Sequence, residues 1–193
     1  MKQRIQSGFV PRAVFFTNGV GRHHTKLQSF EMALRKAGVA ICNLVAVSSI
    51  FPPGCKILSR EKGLQRIQPG ALTFTVMARA DTNEPNRLIG AGIGLAIPKQ
   101  KEQYGYLSEV HEYGMTQRKV ADHAEDLAAT MLATTMGIEL DPDVAWDQRK
   151  QVYRVDQNRS FSSRSIVQTA EGHKDGLWTT VVAMAVFIMD DDA

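Results

Sequence analysis

Little in this chain stands out by abundance. Aromatic residues make up 7% of its 193 positions, and cysteine occurs twice, at Cys42 and Cys55. The formal charge of +3 comes from 23 basic and 20 acidic residues scattered along the sequence. Without a basic stripe there is no footing for nucleic acid. No hydrophobic run spans a membrane, since the longest, Val181 to Met189, falls well short of the roughly 20 residues a spanning helix needs. Two cysteines with no histidine near them in sequence make no metal site. Met1-Lys2-Gln3-Arg4 leads into polar sequence rather than an apolar stretch. Together with two free thiols, this sets the expectation of a cytoplasmic protein. Neither Ser49 nor Ser108 sits in a Gly-x-Ser-x-Gly elbow. The glycines of Gly90-Ala91-Gly92-Ile93-Gly94 fail as a dinucleotide fingerprint, because Leu95 stands where glycine is required. Glycine inside a strand marks a bulge or a close backbone approach instead.

What is present is the material of one globular domain, expected to cover residues 1–193. Hydrophobic residues account for 44% and charged residues for 22%, enough for a single buried core at this length. Residues 13–17 read as a short strand and Thr17 to Gly21 as a glycine-bearing turn. Leu27, Phe30, Ala33, Leu34 and Ala37 recur at helical spacing ahead of Gly38, which predicts a helix over 26–37. A strand over 41–47 follows, then a polar loop. Strands over 71–79 and 88–97 flank a hairpin loop containing Asn83, Pro85 and Asn86. Another strand covers 104–113. Thr116 is placed to cap a helix running to Met136, with Val120, Ala124, Leu127, Ala128, Met131 and Thr135 on one face. Residues 138–150 form a connector, strands recur near 151–155, 163–170 and 177–189, and Asp190-Asp191-Asp192 makes a solvated tail. Consecutive strands joined by short loops predict an α+β fold with largely antiparallel sheet.

The chemistry concentrates in Asn43-Leu44-Val45-Ala46-Val47-Ser48-Ser49-Ile50-Phe51-Pro52. An apolar strand ends on two serines and stops against Pro52-Pro53-Gly54. Such a stop is a place where backbone strain can be stored, and the pair sets a hydroxyl beside a peptide carbonyl. The Ser49 hydroxyl can attack the Ser48 carbonyl and turn the amide into an ester. β-Elimination then leaves dehydroalanine, and hydrolysis of its imine tautomer leaves a ketone and ammonia. Farther on, alternation puts Leu107, Glu109, His111 and Tyr113 on one strand face. By position, Glu109 is either a desolvated carboxyl able to donate a proton near neutral pH or an exposed edge-strand glutamate. Glu31 reads as a solvent-face carboxylate on its helix unless another subunit closes over it. His23-His24 reads as a surface pair.

From Asn43 to Cys55, and again from Leu107 to Gly114, the sequence resembles the pyruvoyl-dependent arginine decarboxylases. The likeness extends over residues 12 to 189. It implies a proenzyme cut between Ser48 and Ser49 into a β chain, 1–48, and an α chain, 49–193. Ser49 would become a covalent pyruvoyl group, with no metal, pyridoxal phosphate or nucleotide required. The ketone would form a Schiff base with the α-amine of L-arginine, and loss of carbon dioxide would yield agmatine. By the same resemblance Glu109 returns a proton to the α-carbon and Asn43 hydrogen-bonds near the pyruvoyl. Glu31 receives the guanidinium, and Leu27 and Leu34 pack its aliphatic stem. The family's residue at position 31 is expected to be aspartate, and glutamate keeps its charge on a longer arm. The implied architecture is an αββα sandwich assembled as a homotrimer of αβ units or a dimer of trimers, with the site between subunits. The competing readings are the same chemistry on lysine, ornithine or aspartate, and a catalytically silent oligomeric binding protein of the same fold.

Overall fold

A computed structural model describes residues 9–147, 152–154 and 159–189. Met1 to Arg4 and the tail Asp190 to Asp192 lie outside them, as do parts of the connector and of the strand expected near 151–155. In chain order the elements are β1 (Ala13–His23), α1 (Lys26–Ala37), β2 (Asn43–Ala46), β3 (Ile50–Phe51), β4 (Lys56–Leu58), α2 (Arg60–Leu64) and β5 (Leu72–Thr82). They continue with β6 (Leu88–Pro98), β7 (Gly105–Tyr113), α3 (Gln117–Thr135), α4 (Pro142–Ala145), β8 (Trp146–Asp147), β9 (Val152–Arg154), β10 (Ser160–Glu171) and β11 (Trp178–Ile188).

The strands build two sheets, one ordered β2-β5-β11-β1-β4 and the other β3-β7-β6-β10-β9-β8. Small and branched side chains from both meet in a shared core, among them Val76, Ala78 and Ala183 from the first sheet and Ile89, Ile93 and Leu107 from the second. The other face of the first sheet packs Phe15, Val182 and Met184 against Ala33 and Ala37 of α1. The other face of the second packs Val110 and Val167 against Val120 and Ala124 of α3. The fold is α+β. Pairing is antiparallel except where β2 runs parallel to β5 and β4 parallel to β1.

Helix α1 forms where its periodicity predicts. The Thr25 hydroxyl accepts from the Gln28 N–H at one end, and Gly38 takes φ 87° at the other, a backbone angle that costs glycine no Cβ clash. Leu27 departs from its expected inward place and is 75% exposed. Helix α3 is capped by Thr116 as expected. Its buried stripe runs Val120, Ala124, Ala128, Ala129, Leu132 and Ala133 rather than through Met131 and Thr135, because it follows the i, i+4 ridge across a twisted sheet.

Three expectations need correction. The turn placed at Thr17–Gly21 is the continuation of β1, paired with β11 from Ala13 opposite Ile188 to His23 opposite Trp178. Its glycines serve packing: a Cβ on Gly19 would fall 2.2 Å from the Ala33 carbonyl oxygen and one on Gly21 2.1 Å from that of Ser29. The polar loop after the proline stop contains β4 and α2, and the connector contains α4 and β8; these elements are too short to show a period. The glycines of β6 do mark close approach, since a Cβ on Gly94 would lie 2.0 Å from the Ala124 carbonyl oxygen. Gly94→Ala must therefore push α3 off its sheet, and a destabilisation of about 1–3 kcal/mol or more is expected in denaturant unfolding.

Candidate active site

The serine pair lies where the chain leaves one sheet for the other. β2 is the edge of the first sheet and β3 the edge of the second. The Val47 N–H still donates to Thr75 O of β5 at 3.0 Å. Two residues later, Ser49 O accepts from the Leu107 N–H of β7 at 2.7 Å. The Ser48–Ser49 peptide is thus a bridge between ladders. Phe51, 4% exposed, anchors the far side in the shared core. A turn with Cys55 N–H on Pro52 O and Gly54 at φ 71° then leads away.

Backbone strain of the left-handed kind is not found at the serines. Among the described residues, Asn86 alone takes positive φ outside glycine. The bridge is instead closed by a three-residue turn in which the Ile50 N–H donates to Ser48 O at 3.0 Å. Ser48 is exposed and Ser49 half-buried. Ser48 faces an apolar cavity of about 500 Å³ whose walls include Val47, Ile50, Pro52, Phe74 and Tyr104.

Glu109 is brought close to this bridge. β3 pairs antiparallel with β7, Ile50 opposite Tyr106 and Phe51 opposite Gly105. One further step sets Ser49 opposite Leu107 and diagonal to Glu109, positions about 7–8 Å apart in an antiparallel pair. β3 ends there, so Glu109 has β6 on one side, opposite Ile93, and the short edge strand's end on the other. The alternation of the face holds, but burial stops at Leu107; Glu109, His111 and Tyr113 are exposed in a single chain. Desolvation nevertheless raises the Glu109 carboxyl above its ordinary value of 4.5, opposed by the attraction of His111.

The remaining expected residues lie apart from the bridge within one chain. Asn43 opens β2, at the opposite end of the strand from Ser49, and its Nδ2 donates to Gly70 O at 2.9 Å. Glu31 is half-buried on α1, on the far side of the first sheet from the shared core, and is ion-paired with Arg35. It borders a cavity of about 690 Å³ with Arg22, His23, Gln28, Met32 and Arg35. Leu34 leans into the α1 core, while Leu27 is open to solvent. Ser108 is structural: its buried hydroxyl donates to Ala124 O at 2.6 Å and accepts from the Gly94 N–H at 3.2 Å. His23 and His24 contact edge to face, and the His23 Nδ1 accepts from the Thr25 N–H ahead of α1. Cys42 and Cys55 are free. Among the described residues no cluster of three His, Cys, Asp or Glu could hold a metal ion, and no helix is long and apolar enough to cross a membrane. The contribution that sequence reasoning missed is the Ile50 N–H, a main-chain donor that no side-chain pattern marks.

The family model described as pyruvoyl-dependent arginine decarboxylase matches residues 13–192. A probable pyruvoyl-dependent arginine decarboxylase of Chloroherpeton thalassium is 56% identical over 180 residues, covering 93% of this chain and 98% of that protein. One from Chlorobaculum tepidum is 55% identical with the same coverage. Pyruvoyl-dependent arginine decarboxylase 2 of Methanosarcina mazei is 51% identical over 179 residues, covering 93% of this chain and 97% of its own. With a family model matching residues 13–192 and relatives from three organisms that are 51–56% identical over 93% of its length, the chain belongs to the pyruvoyl-dependent arginine decarboxylase family.

Proposed function

We propose that the chain cuts itself between Ser48 and Ser49 and then decarboxylates L-arginine to agmatine and carbon dioxide. The observation that carries the reading is the bridge itself: a serine hydroxyl adjoining a peptide carbonyl, both ends clamped, and the carbonyl already polarised by a donor. In the cut, Ser49 Oγ bonds to the Ser48 carbonyl carbon, the amide C–N bond breaks, and the hydroxyl proton passes to the freed nitrogen. Loss of the Ser49 α-proton and of the Ser48 carboxylate leaves a carbon–carbon double bond. Its imine tautomer takes up water and releases ammonia, leaving a keto group at position 49. Residues 1–48 and 49–193 would remain together as one domain, since β1 and β2 stay paired in the same sheet as β5 and β11. The two processed chains would then form the αββα sandwich.

Position 49 suits a pyruvoyl group, being half-buried, close in register to a raised carboxyl and next to Ser48, which lines an apolar cavity. That group supplies an electrophile for the substrate's α-amine and a sink for the electrons that carbon dioxide leaves behind. Neither a metal nor pyridoxal phosphate is needed for this chemistry. Glu109, whose carboxyl desolvation raises above its ordinary value, returns the proton to the α-carbon. Glu31 receives the guanidinium through paired, charge-assisted hydrogen bonds, exchanging its Arg35 contact for the substrate. Leu27 and Leu34 flank the stem, and Asn43 hydrogen-bonds near the keto group. Because Glu31 and Asn43 lie away from Ser49 in one chain, the complete site requires a neighbouring copy. A homotrimer of αβ units or a dimer of trimers supplies one, and the exposed Leu27, Ile41 and Leu72 give it apolar surface to bury. The free thiols suit a reducing cytoplasm.

Borohydride added with arginine should inactivate the enzyme irreversibly and leave the substrate or its decarboxylated product attached to the 49–193 fragment as a secondary amine, the keto oxygen leaving as water; full activity after this treatment would refute the reading. Ser49→Ala should remain a single chain with no turnover. Glu109→Gln should be cut normally but lose about 10²–10⁴ in kcat. Because the raised carboxyl holds its proton to higher pH, kcat should fall as pH rises through that window, and the glutamine variant should lack this limb. Folding follows the same sign: above 4.5 the folded state binds more protons than the unfolded one. Stability from this group is lost as pH rises, until its folded titration is complete. Glu31→Ala should leave cleavage intact and raise KM for arginine about 10-fold or more, with ornithine affected less.

A further inference from the structure

We propose that the main-chain N–H of Ile50 is the oxyanion donor for the self-cleavage, a role that rests on the reading of the Ser48–Ser49 bond given above. When Ser49 Oγ adds to the Ser48 carbonyl carbon, the carbonyl oxygen takes on negative charge. A donor already aimed at that oxygen stabilises the charge without reorganising. The Ile50 N–H stands 3.0 Å from Ser48 O, inside the about 2.7–3.1 Å over which such donors act.

The topology explains why this N–H is available. In an antiparallel pair, residues that exchange main-chain bonds alternate with residues that do not. Ser49 O accepts from the Leu107 N–H, which makes Ser49 a bonded position and the next pair, Ile50 opposite Tyr106, a non-bonded one. The Ile50 N–H therefore points away from β7. Because β3 is the edge of its sheet, no further strand takes it up, and the tight turn folds it back onto Ser48 O. The same register fixes both partners. Val47 is tied to Thr75 and Ser49 to Leu107, so the acceptor cannot swing off its donor without breaking a ladder bond. The donor belongs to the residue after the nucleophile and needs no particular side chain. The Ile50 side chain is 41% exposed and borders the apolar cavity, so it can be truncated while the N–H stays.

The test replaces the N–H alone. Gly54-Cys55 offers a natural ligation junction, through which synthetic residues 1–54 carrying an α-hydroxy acid in place of Ile50 can be joined to residues 55–193. The resulting ester has oxygen where the N–H was. Folded material, checked by circular dichroism, should cleave about 10²–10³-fold more slowly than the ligated all-amide chain, whereas Ile50→Ala should cleave at the parental rate. Cleavage of the ester analogue at the parental rate would overturn the proposal, and so would an Ile50→Ala chain as slow as the ester. A second measurement needs no backbone change. In the uncut Ser49→Ala chain, the Ile50 amide proton should exchange with solvent far more slowly than exposed loop amides, and exchange at the loop rate would overturn the hydrogen bond. If the all-amide chain and Ile50→Ala both stay whole between residues 48 and 49, the self-cleavage reading itself falls. That result is distinct from a cut that proceeds without the N–H.

Discussion

The peptide between Ser48 and Ser49 is held by hydrogen bonds to two different sheets. Val47 belongs to the ladder of β5 and Ser49 to that of β7. Packed sheets lie about 10 Å apart, so the few residues between these anchors have little freedom. The position of the bond is then set by how closely the sheets approach, and that is decided by Val76, Ala78, Ala80, Ala91, Ala183 and Ala185 in the shared core. The alanines keep the layer thin. Buried Phe51 and the proline turn after it prevent the downstream chain from taking up the slack. The chemistry proposed for the bridge depends on this anchorage more than on any catalytic side chain near it.

The same preference for small residues governs the outer layers. Gly19, Gly21 and Gly94 leave no room for a Cβ beneath α1 and α3, and the helices answer with Ala33, Ala37, Ala124 and Ala128. Ser29 and Thr180 share a hydroxyl hydrogen bond of 2.7 Å across the α1 interface, and Ser108 ties β6 and β7 to α3. Buried polar groups are thereby paired without widening the gap. Helices drawn tightly onto both sheets keep β5 and β7, the two anchors of the bridge, at a fixed separation.

Much of this was legible in the sequence where the signal is local. Helix α1 announces itself by Thr25, its apolar spacing and Gly38, and the serine pair by the proline stop. Glu109 was legible as a candidate because alternation along β7 places it with Leu107. The extension of β1 was hidden because Gly19 and Gly21 look like turn residues until a helix is known to lie against them. α2 and β3 are too short to carry a period. The Ile50 N–H was beyond any side-chain pattern, since main-chain donors are aimed by register and not by residue type. Asn43 and Glu31 mark a different boundary. Within one chain they lie apart from Ser49, and bringing them to it is left to the proposed assembly of several copies, which a single sequence encodes only as exposed apolar and charged faces.

Intact-mass measurement of the purified wild-type chain tests the central claim most directly. The account predicts two species: residues 1–48 with an ordinary carboxyl end, and residues 49–193 blocked to amine sequencing, with the mass of a keto group in place of the serine. Their summed mass should equal that of the whole chain plus one water less one ammonia. A single uncut species in enzyme that releases carbon dioxide from arginine would contradict it.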